Sequence, residues 1–226
     1  MEDSDPLLLG ALRRRGVASA AELCAALGWS QPTLSRRLAA AASAVLVLGR
    51  GKATRYALPQ PMLGAAAQQP LHWVAEDGVI RPWGALSLLA GGAVHVQGAE
   101  GFEGLQRSGL PWFLAPLRAE GFLGRALARR LAVFGLPESP VGWTVEQQLF
   151  AALHVPDGPG ALILGDGTGA PAEPSSVEAG MPAEFDALAD AAGHTLPAGS
   201  SAGGEQAKFV AQDPLDGHPA IVKFSP

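Results

Sequence analysis

An α+β protein with a helical, basic head and a strand-rich, acidic body is the architecture this 226-residue sequence predicts. Three observations carry it. Capped segments of helical period succeed one another through the first 40 residues, glycine-punctuated apolar runs take over from about residue 45, and charge divides between the two regions. Residues 1–60 hold eight Lys/Arg against four Asp/Glu, a net +4, whereas residues 61–226 hold eight against seventeen, a net −9. A split of this kind points to a nucleic-acid-binding piece joined to something else.

The composition closes off several classes. With 48% apolar residues the chain has material for a packed core, which argues against wholesale disorder. Cys24 is its one cysteine, so no internal disulfide forms, and its place in an apolar helical stretch makes it a small buried hydrophobe. The histidines (His72, His95, His154, His194, His218) are scattered without ligand spacing, so no metal site is expected. An acidic start, "MEDSDP", is the opposite of a secretory leader, and no apolar run reaches membrane-spanning length. A cytoplasmic, membrane-free protein is the expectation.

In "DPLLLGALRRRG" Asp5 is a helix cap, Pro6 takes the first helical position, and Gly16 ends the segment. Leu8, Leu9 and Leu12 form its apolar face. "SAAELCAALG" pairs Ser19 with Glu22 in a capping box, sets Leu23 and Leu27 four apart, and stops at Gly28. A third helix follows Ser30 in "WSQPTLSRRLAAAAS". Helix, short glycine-containing turn and helix make a helix-turn-helix pattern. "AVLVLGRGKATRYAL" then alternates around a Gly-rich turn as a two-stranded wing would. Residues 1–58 therefore resemble a winged helix-turn-helix DNA-binding domain. Gln31, Thr33 and Ser35 lie where such a helix reads base edges. Arg36 and Arg37, with Arg50, Lys52 and Arg55 of the wing, supply charge for phosphates.

Residues 59–70, a Pro/Gln/Ala stretch without period, read as a linker, and 71–196 as a further subdomain. Its first part, "HWVAEDGVIRPWGALSLLAGGAVHVQG", predicts short strands with turns at Asp77-Gly78 and Gly91-Gly92. Leu123, Leu127 and Leu131 then predict an amphipathic helix with Arg125, Arg129 and Arg130 mostly on its polar side. "TVEQQLFAALHV" is another helix and "GALILGDG" a buried strand entering a turn. "GDGTG" lacks the Gly-Lys-Ser/Thr of a phosphate loop and the acidic spacing of a calcium loop, so it reads as a plain turn. "GAPAEPSSVEAG" reads as a loop and "MPAEFDALADAAG" as a short helix.

Four segments in order, "PWFLAPLRAEGFLGRALAR", "GALILGD", "GSSAGGEQAKF" and "AIVKFSP", resemble the N-terminal half of the HipA family of Ser/Thr kinases. The added winged helix resembles the YjjJ branch of that family, HipA-like toxins with their own DNA-binding head. The resemblance runs from about residue 70 to 226 and implies a HipA-type N-terminal subdomain, then the start of a kinase N-lobe at 197–226. By it, Ser201 matches the loop serine that family kinases autophosphorylate, with Ser200 and Ala202 beside it. Gly203 and Gly204 match the turn that admits phosphate, Lys208 the lysine closing the loop, and Lys223 the strand lysine on the α/β-phosphates. Physical chemistry agrees, since glycines bring backbone N–H groups close to an anion and a nearby lysine neutralises it. Ala207 stands where related loops often have proline.

The resemblance also implies a type II toxin–antitoxin setting, with ATP and magnesium in full-length relatives. Phosphoryl transfer needs two aspartates supplied after the strand lysine, and only Phe224, Ser225 and Pro226 follow Lys223 here. Taken alone, then, this stretch is expected to hold ATP and magnesium weakly and to lack complete catalysis. The expected partners are DNA, and an antitoxin or a separately encoded catalytic lobe. Two other readings stay open: a winged-helix transcriptional regulator, and an interaction module that docks on such a lobe.

Overall fold

Asp5, Ser19 and Ser30 each open a helix. The Asp5 carboxylate accepts from the Leu7 and Leu8 amides, and α1 runs Pro6–Arg15 with Pro6 in its first turn. Ser19 and Glu22 close a reciprocal capping box on α2, Ala20–Leu27, which ends on Gly28 in the left-handed region. The Ser30 hydroxyl accepts from the Thr33 amide at the start of α3, Gln31–Ala40. The chain continues as a hairpin, β1 (Leu46–Leu48) antiparallel to β2 (Arg55–Ala57), joined through a 3-10 turn at Gly51–Ala53. The three helices begin where the capping residues predict, and the hairpin falls where the alternation around the Gly-rich turn predicts it. The computed structural model describes residues 5–75, 79–155, 161–166, 208–212 and 219–223.

Among the described residues, five more strands and two helices precede the last hairpin: β3 (Gln68–Val74), β4 (Ile80–Leu88), β5 (Val94–Gly98), β6 (Glu103–Gln106), α4 (Gly121–Leu131), α5 (Val145–Ala152) and β7 (Leu162–Leu164). Helices and antiparallel sheets together make the protein α+β, as the sequence predicts. The hydrogen-bonded strand order is β6-β5-β4-β3-β7. Two compact units emerge, Met1–Gln69 with Gly84–Pro111, and Pro70–Trp83 with Trp112–Pro226.

In the first unit Leu8, Leu12, Leu23 and Leu34 are fully buried and share one core with Ala18, Val45, Leu58 and Ala90. Each helix contributes the apolar stripe its period predicts, and burying a leucine is worth roughly 1.5–3 kcal/mol. The stretch after β2 is hydrogen-bonded. Ala90 donates to the Leu58 carbonyl and Gln60 to that of Leu88, each at 2.8 Å, while Met62 is fully buried. Gly16 reverses the chain with φ +70°, and a Cβ there would come within 2.9 Å of the Ala90 carbonyl oxygen. Only glycine fits both demands. β4, β5 and β6 form an antiparallel meander, with Ser87 opposite His95 and His95 opposite Leu105.

In the second unit β3 pairs antiparallel with β7, Leu71 opposite Leu164. Leu127 and Leu131 of α4 are buried while Arg129 and Arg130 are exposed, as the four-residue leucine period predicts. Gln148 of α5 is buried, and its side-chain oxygen accepts from the Ala119 amide at 3.0 Å. This bond satisfies the buried Ala119 amide, just ahead of α4. Thr144 caps α5 with a capping box to Gln147. Among the described residues, no helix is long and apolar enough to cross a membrane. The "GAPAEPSSVEAG" loop and "MPAEFDALADAAG" helix lie outside the described residues.

Candidate nucleic-acid interface

The α3 helix and the β1–β2 hairpin hold five of the eight basic residues of the head, the other three, Arg13, Arg14 and Arg15, closing α1. Gln31, Ser35, Arg36 and Arg37 are exposed along α3, and Arg50 and Lys52 are exposed at the hairpin turn. Thr33 is half-buried, and its hydroxyl lies 3.0 Å from that of Ser30. Thr33 thus belongs to the cap that starts α3. The Arg37 Nε lies 3.3 Å from the Asp5 carboxylate, so one carboxylate both caps α1 and ties it to α3. Arg55 is half-buried, its Nη1 donating to the Thr54 carbonyl at 2.9 Å and to that of Lys52 at 3.4 Å. It braces the turn on which Lys52 is displayed. Of the five cations singled out from the sequence, Arg36, Arg50 and Lys52 are exposed and outside these two contacts.

The hairpin is fixed from outside by a residue the sequence gives no reason to suspect. Glu103, on β6, accepts from the Gly49 amide at 2.9 Å through Oε1. The same oxygen lies 3.1 Å from Nε2 of His95 on β5, a ring only 2% exposed. Because a carboxylate only accepts, the imidazole donates from Nε2. The Gly49 amide foremost, then the His95 bond, hold the Glu103 carboxyl below the usual glutamate range. Gly49 has φ +68°, and a Cβ there would meet the Ala53 carbonyl oxygen at 3.0 Å. In the sequence only the alternation of residues 94–106 hints that His95 and Glu103 share a face; nothing marks Gly49, 54 positions away, as their partner.

Of the residues singled out by the kinase resemblance, Ser200, Ser201, Ala202, Gly203 and Gly204 lie outside the described residues. Lys208 and Lys223 open and close an antiparallel hairpin, β8 (Lys208–Gln212) and β9 (Pro219–Lys223). The register makes them direct Cα partners, about 4.5–5.5 Å apart in any antiparallel pair. Two lysines fifteen positions apart in the chain thus share the open end of one hairpin.

Comparison with known proteins follows this geometry. Residues 65–170 match the family described as YjjJ-like toxin, middle domain. Toxin YjjJ of Escherichia coli (strain K12) is 37% identical over an alignment 226 positions long that covers 93% of this chain and 49% of that protein. No solved structure matches. The chain is therefore similar to the YjjJ-like toxins, over a span about half the length of the relative it matches.

Proposed function

We propose that this chain is the DNA-binding, N-terminal part of a HipA-like Ser/Thr kinase toxin of a type II toxin–antitoxin system. The observation that carries the reading is the order of capped helices and hairpin in the head, with Arg36, Arg50 and Lys52 exposed on α3 and the turn. That order supports a winged helix-turn-helix with α3 as recognition helix and β1–β2 as wing. In this reading Gln31 and Ser35 face base edges, and the cations hold the phosphates that set register. The similarity to Toxin YjjJ supports the toxin setting, and with it an antitoxin as a cytoplasmic partner.

At the other end, β8–β9 is the first hairpin of a kinase N-lobe in this reading. Lys208 and Lys223 face the phosphates of ATP with its magnesium, and Gly203 and Gly204 admit them. Ser201 is the autophosphorylation candidate.

Fluorescence anisotropy of labelled duplex DNA tests the head. Three phosphate contacts predict a slope of log affinity against log salt of about −2.7, together with discrimination between operator-like and scrambled duplexes. Absence of binding even at low salt refutes the DNA-binding reading.

A further inference from the structure

The contact between Glu103 and the wing has a use that neither the toxin similarity nor the head's own sequence assigns. We propose that Glu103, held by His95, is a positioning residue for DNA binding: its Oε1 fixes the wing at Gly49 so that Arg50 and Lys52 meet the phosphate backbone in register. The inference rests on the DNA-binding reading above.

A two-stranded hairpin is marginal by itself in water, and this one has strands of only three residues each. Tyr56 of β2 exchanges backbone hydrogen bonds with Ala18 and Leu48 and Ala57 are buried, but the turn that carries the cations lies beyond that tie and needs an anchor of its own to keep one orientation. Glu103 supplies it, one oxygen taking both the Gly49 amide at 2.9 Å and the His95 Nε2 at 3.1 Å. His95 in turn is locked, being 2% exposed on the central strand of the β4-β5-β6 meander. Its placement aims the carboxylate, because Glu103 pairs with Gln97 and so lies diagonal to His95 on one face. The anchored residue directly precedes Arg50, so a loss of the bond acts on that side chain first. A negative group beside two phosphate-binding cations would by charge alone weaken DNA binding. Its presence there makes sense if position outweighs that repulsion.

Two substitutions at Glu103 therefore have opposite expected signs. Glu103→Gln keeps one oxygen able to accept both bonds and removes the charge, so affinity rises and the salt slope stays. Glu103→Ala removes charge and anchor together. It should lower affinity despite the lost repulsion and flatten the salt slope by about 0.9 to 1.8, one or two phosphate contacts.

Hydrogen exchange at the Gly49 amide of the DNA-free protein reads the anchor directly, slow in the wild type and in Glu103→Gln, fast in Glu103→Ala. If Glu103→Ala does not fold, Glu103→Met, of similar length but without an acceptor, carries the same expectations. Equal gains in affinity for Glu103→Gln and Glu103→Ala, or a Gly49 amide indifferent to both, would overturn the proposal. A wild type that binds no DNA while Gly49 exchange still follows Glu103 overturns the DNA-binding reading instead, and the role in DNA positioning falls with it.

Discussion

Replacing Asp5 separates two jobs that one carboxylate performs. Its Oδ1 accepts from the Leu7 amide at 2.9 Å and the Leu8 amide at 3.4 Å, while Oδ2 meets the Arg37 Nε at 3.3 Å. Loss of an Asp cap to alanine costs about 1 kcal/mol, within a range of roughly 0.5–2. The ion pair adds less, about 0.2–1 kcal/mol, because the Arg37 side chain is 56% exposed and water screens it. Asp5→Ala should therefore destabilise the protein by about 1–2 kcal/mol, and at roughly 2–4 °C per kcal/mol for a chain of this size lower Tm by about 2–8 °C. Asp5→Asn preserves capping, since Asn caps as well as Asp, and should cost only the pair. Freed from Asp5, Arg37 becomes available to phosphate, so both variants should steepen the salt slope of DNA binding by about 0.9. Calorimetric melting beside anisotropy titrations reads both effects. An Asp5→Asn variant as unstable as Asp5→Ala would refute the reasoning, because the pair and not the cap would then hold α1.

Other outcomes follow from the same structure. Leu34→Ala, at a fully buried position of α3, should cost about 2.7–5 kcal/mol in denaturant unfolding, with most of the DNA affinity lost as α3 loosens. Gly16→Ala combines a positive φ with a 2.9 Å approach to backbone and should cost roughly 1–3 kcal/mol, more than Gly28→Ala, where φ is also positive but a Cβ meets open space. Glu22 and Glu103 both have lowered pKa values, Glu22 mainly through the Ser19 amide and hydroxyl and Glu103 through the Gly49 amide. Their contribution is complete above the ordinary glutamate value of about 4.3 and fades as pH falls through the depressed folded values. Melting temperature should thus drop on acidification through that window, and the Glu22→Gln, Glu103→Gln double variant should flatten the drop.

Local structure was legible in the sequence because its signals are local. Asp5, Ser19 and Ser30 cap the helices they were expected to cap, since a cap is decided within four residues of its own start. The leucine period of α4 and the apolar run of β7 likewise report burial directly. What stayed hidden depends on residues far apart in the chain. No periodicity joins Asp5 to Arg37 or Gly49 to Glu103, so the ion pair and the Gly49–Glu103 hydrogen bond could not be anticipated. Thr33 illustrates a nearer ambiguity. A hydroxyl at the third position of a helix serves a base edge or the cap equally well by composition, and here it lies against Ser30. The Pro/Gln/Ala stretch 59–70 has no period to reveal the burial of Met62 or the bond of Gln60, the latter because its partner, the Leu88 carbonyl, lies 28 positions away. Lys208 and Lys223 were picked out by resemblance to a kinase loop and strand, and the hairpin register pairs them.

The central claim, that α3 and the wing bind DNA, is tested most directly by two charge-deletion variants compared in one salt titration. Arg36→Ala/Arg50→Ala/Lys52→Ala removes the three exposed cations assigned to phosphates on α3 and the hairpin turn; Arg129→Ala/Arg130→Ala removes the exposed pair of α4. The account predicts that the triple variant flattens the slope of log affinity against log salt by about 2.7, while the α4 variant binds as the wild type does. A slope unchanged in the triple variant, or flattened only by the α4 variant, would contradict it.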